Sequence, residues 1–223
     1  MKVYTHYQAI DDCGNGYRWR TLLQFGNSWD IIGSVVMKNP GSANFKNGKD
    51  ISITDSSLLA NLAAFEYPGD EGKEWFEFKG DQTMYCVAEL FALYYNVPDK
   101  MQLNGVIQIF NLFYLKEQDL GKALKTNKEL AMLGEINDTI FKHDIVSIKA
   151  PIYLGFGKLA KSSDFRDKAE AFFSEAVVNH AADYLDKEFD ANSFTHPLAL
   201  MRYYKDSPAN TQTRNRFCAG LRC

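Results

Sequence analysis

The sequence lacks several things that would place it quickly. Its four cysteines, Cys13, Cys86, Cys218 and Cys223, form no C-x-x-C pair, and no histidine stands near the last two. The common zinc spacings are therefore absent, and reduced thiols in a cytosolic chain are the expectation. His6, His143 and His180 have no carboxylate or cysteine at ligand spacing, so neither metal nor cofactor is expected. No apolar run approaches the about 20 residues that cross a bilayer. The opening MKVYTHYQAIDDCG lacks the apolar centre of a signal peptide. A cytoplasmic protein with no membrane partner is the expectation. There is no basic excess: 25 Lys and Arg face 28 Asp and Glu, for a net charge of −3. That balance does not advertise nucleic acid, although it leaves room for a local basic patch. There are no repeats and no low-complexity tract.

What is present is a globular composition, 46% hydrophobic and 14% aromatic over 223 residues, enough for a single domain spanning 1–223. Tyr17 to Phe25 reads as a strand, with Asn15-Gly16 as the turn of a hairpin to Lys2–Gln8. Asp30 to Met37 and Val106 to Phe113 read as more buried strands. Asp55 and Asp81 each stand where an N-cap is needed, before helices at Ser56–Phe65 and 82–95. The segment 126–143 reads as a helix, Asp144 to Leu154 as a strand interrupted at Pro151, 164–189 as a long helix, and Leu198 to Tyr204 as a short one. Tyr67 to Gly80 reads as a loop or short hairpin. Strands alternating with helices predict an α/β fold with a mainly parallel sheet. In such sheets ligands sit beyond the carboxyl ends of strands. Three places follow: Lys38-Asn39-Pro40-Gly41, Asn111-Leu112-Phe113 and Gly155-Phe156-Gly157.

The stretch VVMKNPGSAN, then Asp81-Gln82-Thr83, then GVIQIFNLFYLKEQDL, resembles the family called domain of unknown function 1643. Its members carry a strand running into L-N-P-S-T-A, a D-P-T segment opening a helix, and a strand ending in N-L-F. Here Lys38 stands for the leucine, Gly41 for the serine and Gln82 for the proline. The resemblance implies a fold and no settled activity. A second resemblance is to uracil-DNA glycosylase-like proteins, whose strand-end G-x-N-P-G motif is similar to Lys38-Asn39-Pro40-Gly41 and whose late H-P loop is similar to His196-Pro197. It implies a three-layer α/β/α architecture, with a helical insertion around 161–194 to explain the long spacing from Gly155 to His196. No aspartate follows Gly33 as a strong uracil-glycosylase motif would supply.

This second resemblance implies a glycosylase-like cleavage of the N-glycosidic bond of a nucleobase in DNA. Breaking that bond builds positive charge on the sugar and negative charge on the base, and requires a placed water. Asn39 would position the water or a base edge, His196 would donate to the leaving base, and Lys38 would meet a phosphate or the anionic base. Phe45 or Phe113 would stack on an extruded base. Gly41, Ser42, Asp81, Thr83 and Asn111 complete the candidate substrate contacts. Each also has a plain structural reading. Asn39 can fix the turn before Pro40 by bonding backbone. Asp81 and Thr83 can cap a helix, Asn111 can be a satisfied strand-end residue, and His196 a turn histidine. The basic, aromatic stretch of Tyr203, Tyr204, Lys205, Arg214, Arg216 and Arg222 suits a nucleic-acid backbone or a solvated tail. A nucleotide or nucleic-acid binding module without catalysis and a protein-interaction domain remain as alternatives.

Overall fold

A computed structural model describes every residue except 11–15, 49, 71, 130–131, 180–181, 183 and 221–223, together with the side chains of all but 128–129 and 132–137 of the rest. Cys13, Asn15, His180, Arg222 and Cys223 thus lie outside the described residues.

The chain opens with β1 (Lys2–Ala9) and β2 (Gly16–Phe25), an antiparallel pair. Next come β3 (Ile31–Met37), the short β4 (Asn44–Phe45), α1 (Ser56–Leu62) and β5 (Trp75–Lys79). Then follow α2 (Gln82–Tyr94), β6 (Gly105–Asn111), β7 (Leu115–Lys116), α3 (Leu120–Glu129) and α4 (Met132–Ser147). The last elements are β8 (Ile152–Leu154), α5 (Arg166–Asn179), a π-helical turn at Ala199–Tyr203 and α6 (Pro208–Ala219). The eight strands form one sheet in the order β4-β5-β1-β2-β6-β3-β8, with β7 beside β2.

The sheet is mixed, and this corrects the expectation of a mainly parallel one. Only the β3–β6 and β3–β8 ladders are parallel; the ladders among β1, β2, β4, β5, β6 and β7 are antiparallel. The reason is connection length. Ala9 and Gly16 are too close in sequence for the crossover that parallel neighbours need. Trp75–Lys79, inside the segment read as a loop, adds an antiparallel strand beside β1.

Alternation along the strands feeds a core on each face. Val36, Phe110, Ile152 and Leu154 pack in one cluster with Ala169, Phe172, Phe173 and Ala176 of α5. Val35, Met37, Ile107, Ile109 and Tyr153 pack in another with Met84, Val87, Leu90 and Phe91 of α2 and Phe217 of α6. Successive side chains of a strand point oppositely, so both faces of β3 are covered by helix. Gly33, with φ near +145°, allows this packing. A Cβ there would stand 2.2 Å from Phe91 Cε1 and 2.7 Å from the Pro151 carbonyl oxygen.

Asp81 caps α2 as expected, accepting from the Met84 amide at 3.0 Å, and Asp55 caps α1. The expected strand from Asp144 is helical as far as Ser147. Ile140 and Asp144 stand four residues apart and are both buried, which is a helix face rather than a strand. α5 ends at Asn179 rather than 189. α6 was not foreseen: Ser207 caps it and Pro208 opens it, and Arg214 and Arg216 bond to the Leu200 carbonyl and Asp186 instead of forming a free tail. Among the described residues no helix is long and apolar enough to cross a membrane.

Candidate functional site

The strand ends bring most of the motif residues to one edge of the sheet. The Leu112 amide donates to the Met37 and Lys38 carbonyls at 3.0 and 3.1 Å, folding the Asn-Leu-Phe segment over the end of β3. The Gly155 amide donates to the Val36 carbonyl at 2.8 Å. The Tyr153 hydroxyl donates to the Thr195 carbonyl at 2.7 Å, which ties the His196-Pro197 loop to β8. Pro197 then packs on Gly155, where a Cβ would meet its Cδ at 2.8 Å.

Lys38 crosses in front of Gly157. With φ near +56°, Gly157 adopts a backbone that disfavours a side chain, and a Cβ would come within 3.2 Å of Lys38 Cε and 3.7 Å of the Phe194 carbonyl oxygen. Burial lowers the Lys38 pKa, and neighbouring Lys158 lowers it further. His196 is pushed down to about 3, first by burial and then by the Lys38 charge, so its imidazole is neutral at physiological pH. Its Nδ1 accepts from the Leu198 amide at 3.3 Å. A neutral ring accepting at Nδ1 carries its proton on Nε2, leaving an N–H donor at the other end.

Asn39 is occupied differently. Its Nδ2 donates to the carbonyls of Glu117 at 2.9 Å, Pro40 at 3.1 Å and Leu115 at 3.5 Å. The amide clamps the turn after β3 to the segment around β7, so its donor end is committed to backbone. Asp81 approaches from α2: its Oδ2 would be 3.1 Å from a Cβ on Gly41. The NPG and DQT segments therefore touch. Thr83 is half-buried in the first turn of α2, and Ser42 is exposed. Asn111 is buried beside Met37, its Oδ1 without a partner among the described residues.

The two candidate stacking rings belong to cores. Phe113 is fully buried and stacks on Phe165 at 5.1 Å. Phe45 is held edge-on among Tyr7, Phe76 and Phe78. Phe113 presents no face to an extruded base. Among the described residues no group of three or more His, Cys, Asp or Glu is arranged to hold a metal.

Sequence reasoning missed the arginines of β2. Arg18 is buried near the strand ends, Nη1 on the Ala43 carbonyl at 3.2 Å and Nε without a partner among the described residues. Burial brings its pKa down to about 10, with Asp81 working the other way, so it stays cationic. Burial, with help from Arg18, also lowers the Lys116 pKa. Arg20, on the opposite side of β2, sits in a bulge with φ near +51°. It bonds Asp70 at 2.8 Å through Nε and Asp144 at 2.9 Å through Nη1. Asp70 also accepts from Trp19 Nε1 at 3.1 Å, and Asp144 from the Tyr114 hydroxyl. Burial raises Asp144 to about 7 against the pull of Arg20. For Asp70 burial pushes up, but Arg20 and the Trp19 bond outweigh it and hold the carboxyl below its ordinary value. The available signal was the YRWR stretch itself: two arginines inside a buried aromatic strand require acceptors.

The chain matches no family model, no curated protein and no solved structure.

Proposed function

We propose that the carboxyl ends of β3, β6 and β8 form a nucleobase-directed site with glycosylase-like chemistry, cleaving an N-glycosidic bond in DNA. The observation that carries this reading is the pairing of a neutral His196, proton on Nε2, with Lys38. Charge that develops on a departing base needs a donor and a cation, both held before the reaction begins. A neutral imidazole donates without first losing a proton, and Lys38 supplies the positive potential. On this reading Asn39 shapes the loop rather than placing the water, and Arg18, Lys116 and Lys158 bias the edge toward the DNA backbone. The reading takes the uracil-glycosylase-like architecture as the ancestor of the mixed sheet and the cytosol as the setting.

One observation favours a second reading, a binding module on the same site. The Asn39 amide is consumed by three carbonyls, so the group best suited by sequence to place a water has no donor left. A base-release assay separates the two. DNA carrying uracil, mismatched or hypermodified bases is incubated with the protein and with His196→Ala. Free base from the wild type alone supports the glycosylase. Binding without release supports the module.

A further inference from the structure

On the face of β2 opposite Arg18 lies a cavity of about 480 Å³, at the carboxyl end of β1 and the start of β2. Because β1 and β6 both run antiparallel to β2, this is the same edge of the sheet as the ends of β3 and β6, where α/β folds take ligands. The volume is within the range of small-molecule sites. Tyr17, Trp19, Ile140, Arg20 and Asp70 are its buried lining residues, and the exposed Lys73 and Thr139 also line it.

The polar groups there are not equally available. Asp70 is engaged on both oxygens: Oδ1 takes the Trp19 indole, and Oδ2 takes Arg20 Nε and the Tyr67 amide. Asp144 is enclosed, held by Arg20 and Tyr114. Arg20 has spent only Nε and Nη1, so among the described residues Nη2 has no protein acceptor, and Arg20 lines the cavity. The carboxylates are engaged and one end of the guanidinium is not, so the cavity seeks an acceptor rather than a cation. Lys73 adds a second positive group among the exposed lining residues. The left-handed backbone at Arg20 is costly for a long side chain and aims it to this place.

We propose that this cavity binds a small aromatic carboxylate, its ring between Tyr17, Trp19 and Ile140 and its carboxylate on Arg20 Nη2 with Lys73 nearby. The contact is a charge-assisted hydrogen bond to guanidinium at a partly desolvated site, beside aromatic walls that accept a planar ring. The site is separate from His196 and does not rest on the glycosylase reading.

The test is calorimetric titration of the full chain with benzoate and with indole-3-carboxylate, each against its neutral amide, with Trp fluorescence as a second readout. Saturable one-to-one binding of an acid, weaker for its amide by about tenfold or more, is expected. Arg20 substitutions risk the fold, so the variants are Thr139→Trp, which adds bulk to the cavity from an exposed helix position, and Lys73→Met. Thr139→Trp abolishes binding, Lys73→Met weakens it several-fold, and His196→Ala leaves it unchanged. No saturable binding by the folded wild type, an amide bound as well as its acid, or full binding by a folded Thr139→Trp variant would overturn the proposal.

Discussion

Lys38 and Arg20 are both cations placed at the same edge of the sheet, and the protein treats them in opposite ways. Arg20 pairs with two carboxylates, which also accept from Trp19 and Tyr114, so its charge is largely answered inside the fold. Lys38 faces Gly157, a second lysine and a neutral histidine, and among the described residues no carboxylate pairs with it. A buried, matched charge is first a structural commitment, costly to break. A half-buried, unmatched charge raises the energy of the resting site and is relieved by an arriving anion. The contrast separates a cation that holds this edge together, with only Nη2 left over for a ligand, from one whose whole charge is left for a ligand.

Removing one partner of the matched cluster should have the largest effect. Arg20→Ala leaves Asp70 and Asp144 buried without their cation and should cost about 3–5 kcal/mol in urea unfolding. Lys38→Ala, measured alongside, should change stability little or raise it. Equal losses in the two variants would erase the contrast.

The turn clamp ranks next. Asn39→Ala frees carbonyls at the end of β3 and should cost about 1–3 kcal/mol. On the reading that this side chain only shapes the loop, Asn39→Asp should lose stability too, because a carboxylate cannot donate to those carbonyls. Unchanged denaturation midpoints for both would show that the amide does not hold the turn.

The two regions should also carry opposite pH signatures. Asp144 has a folded pKa raised above its ordinary 3.8 to about 7. The folded state therefore holds its proton longer than the unfolded state, and stability is lost as pH rises through 4 to 7. His196 has a folded pKa depressed from 6.5 to about 3. Its contribution is present above pH 6.5 and is lost as pH falls toward 3. Each slope is at most about 1.4 kcal/mol per pH unit. Asp144→Asn should flatten the first limb of a thermal-melting profile and leave the second, and His196→Ala should do the reverse. The smallest effect is spectroscopic: the His196 ring signals should show a neutral imidazole, protonated at Nε2, unchanged between pH 5 and 8.

How much of this was legible follows from particular residues. Asp81 announced its helix because an N-cap is a local bargain between one side chain and the next turn's amides. The buried strands at 31–37 and 105–111 declared themselves by unbroken apolar runs. The motif order also placed Lys38, Gly41, Asp81, Asn111 and His196 at the same edge of the sheet. What failed depended on distant partners. Nothing local tells that Phe113 stacks on Phe165 or that the Asn39 amide spans to Glu117. The hairpin of β1 and β2 was legible in its short connection, whereas the antiparallel pairing of β2 with the distant β6 was not. Asp144 looked like the start of a strand because its helical partner Ile140 lies before the expected boundary and the helix runs only to Ser147 beyond it. The Arg20 cluster joins residues up to 124 positions apart, a separation at which residue patterns carry no pairing information.

The measurement closest to the central claim is base release from DNA by the wild type and by His196→Ala, with folding of both verified by circular dichroism. The account predicts free base and alkali-sensitive abasic sites with the wild type, and loss of both with the variant while DNA binding persists. Equal release by the two proteins, or none from any substrate with the wild type, would contradict it.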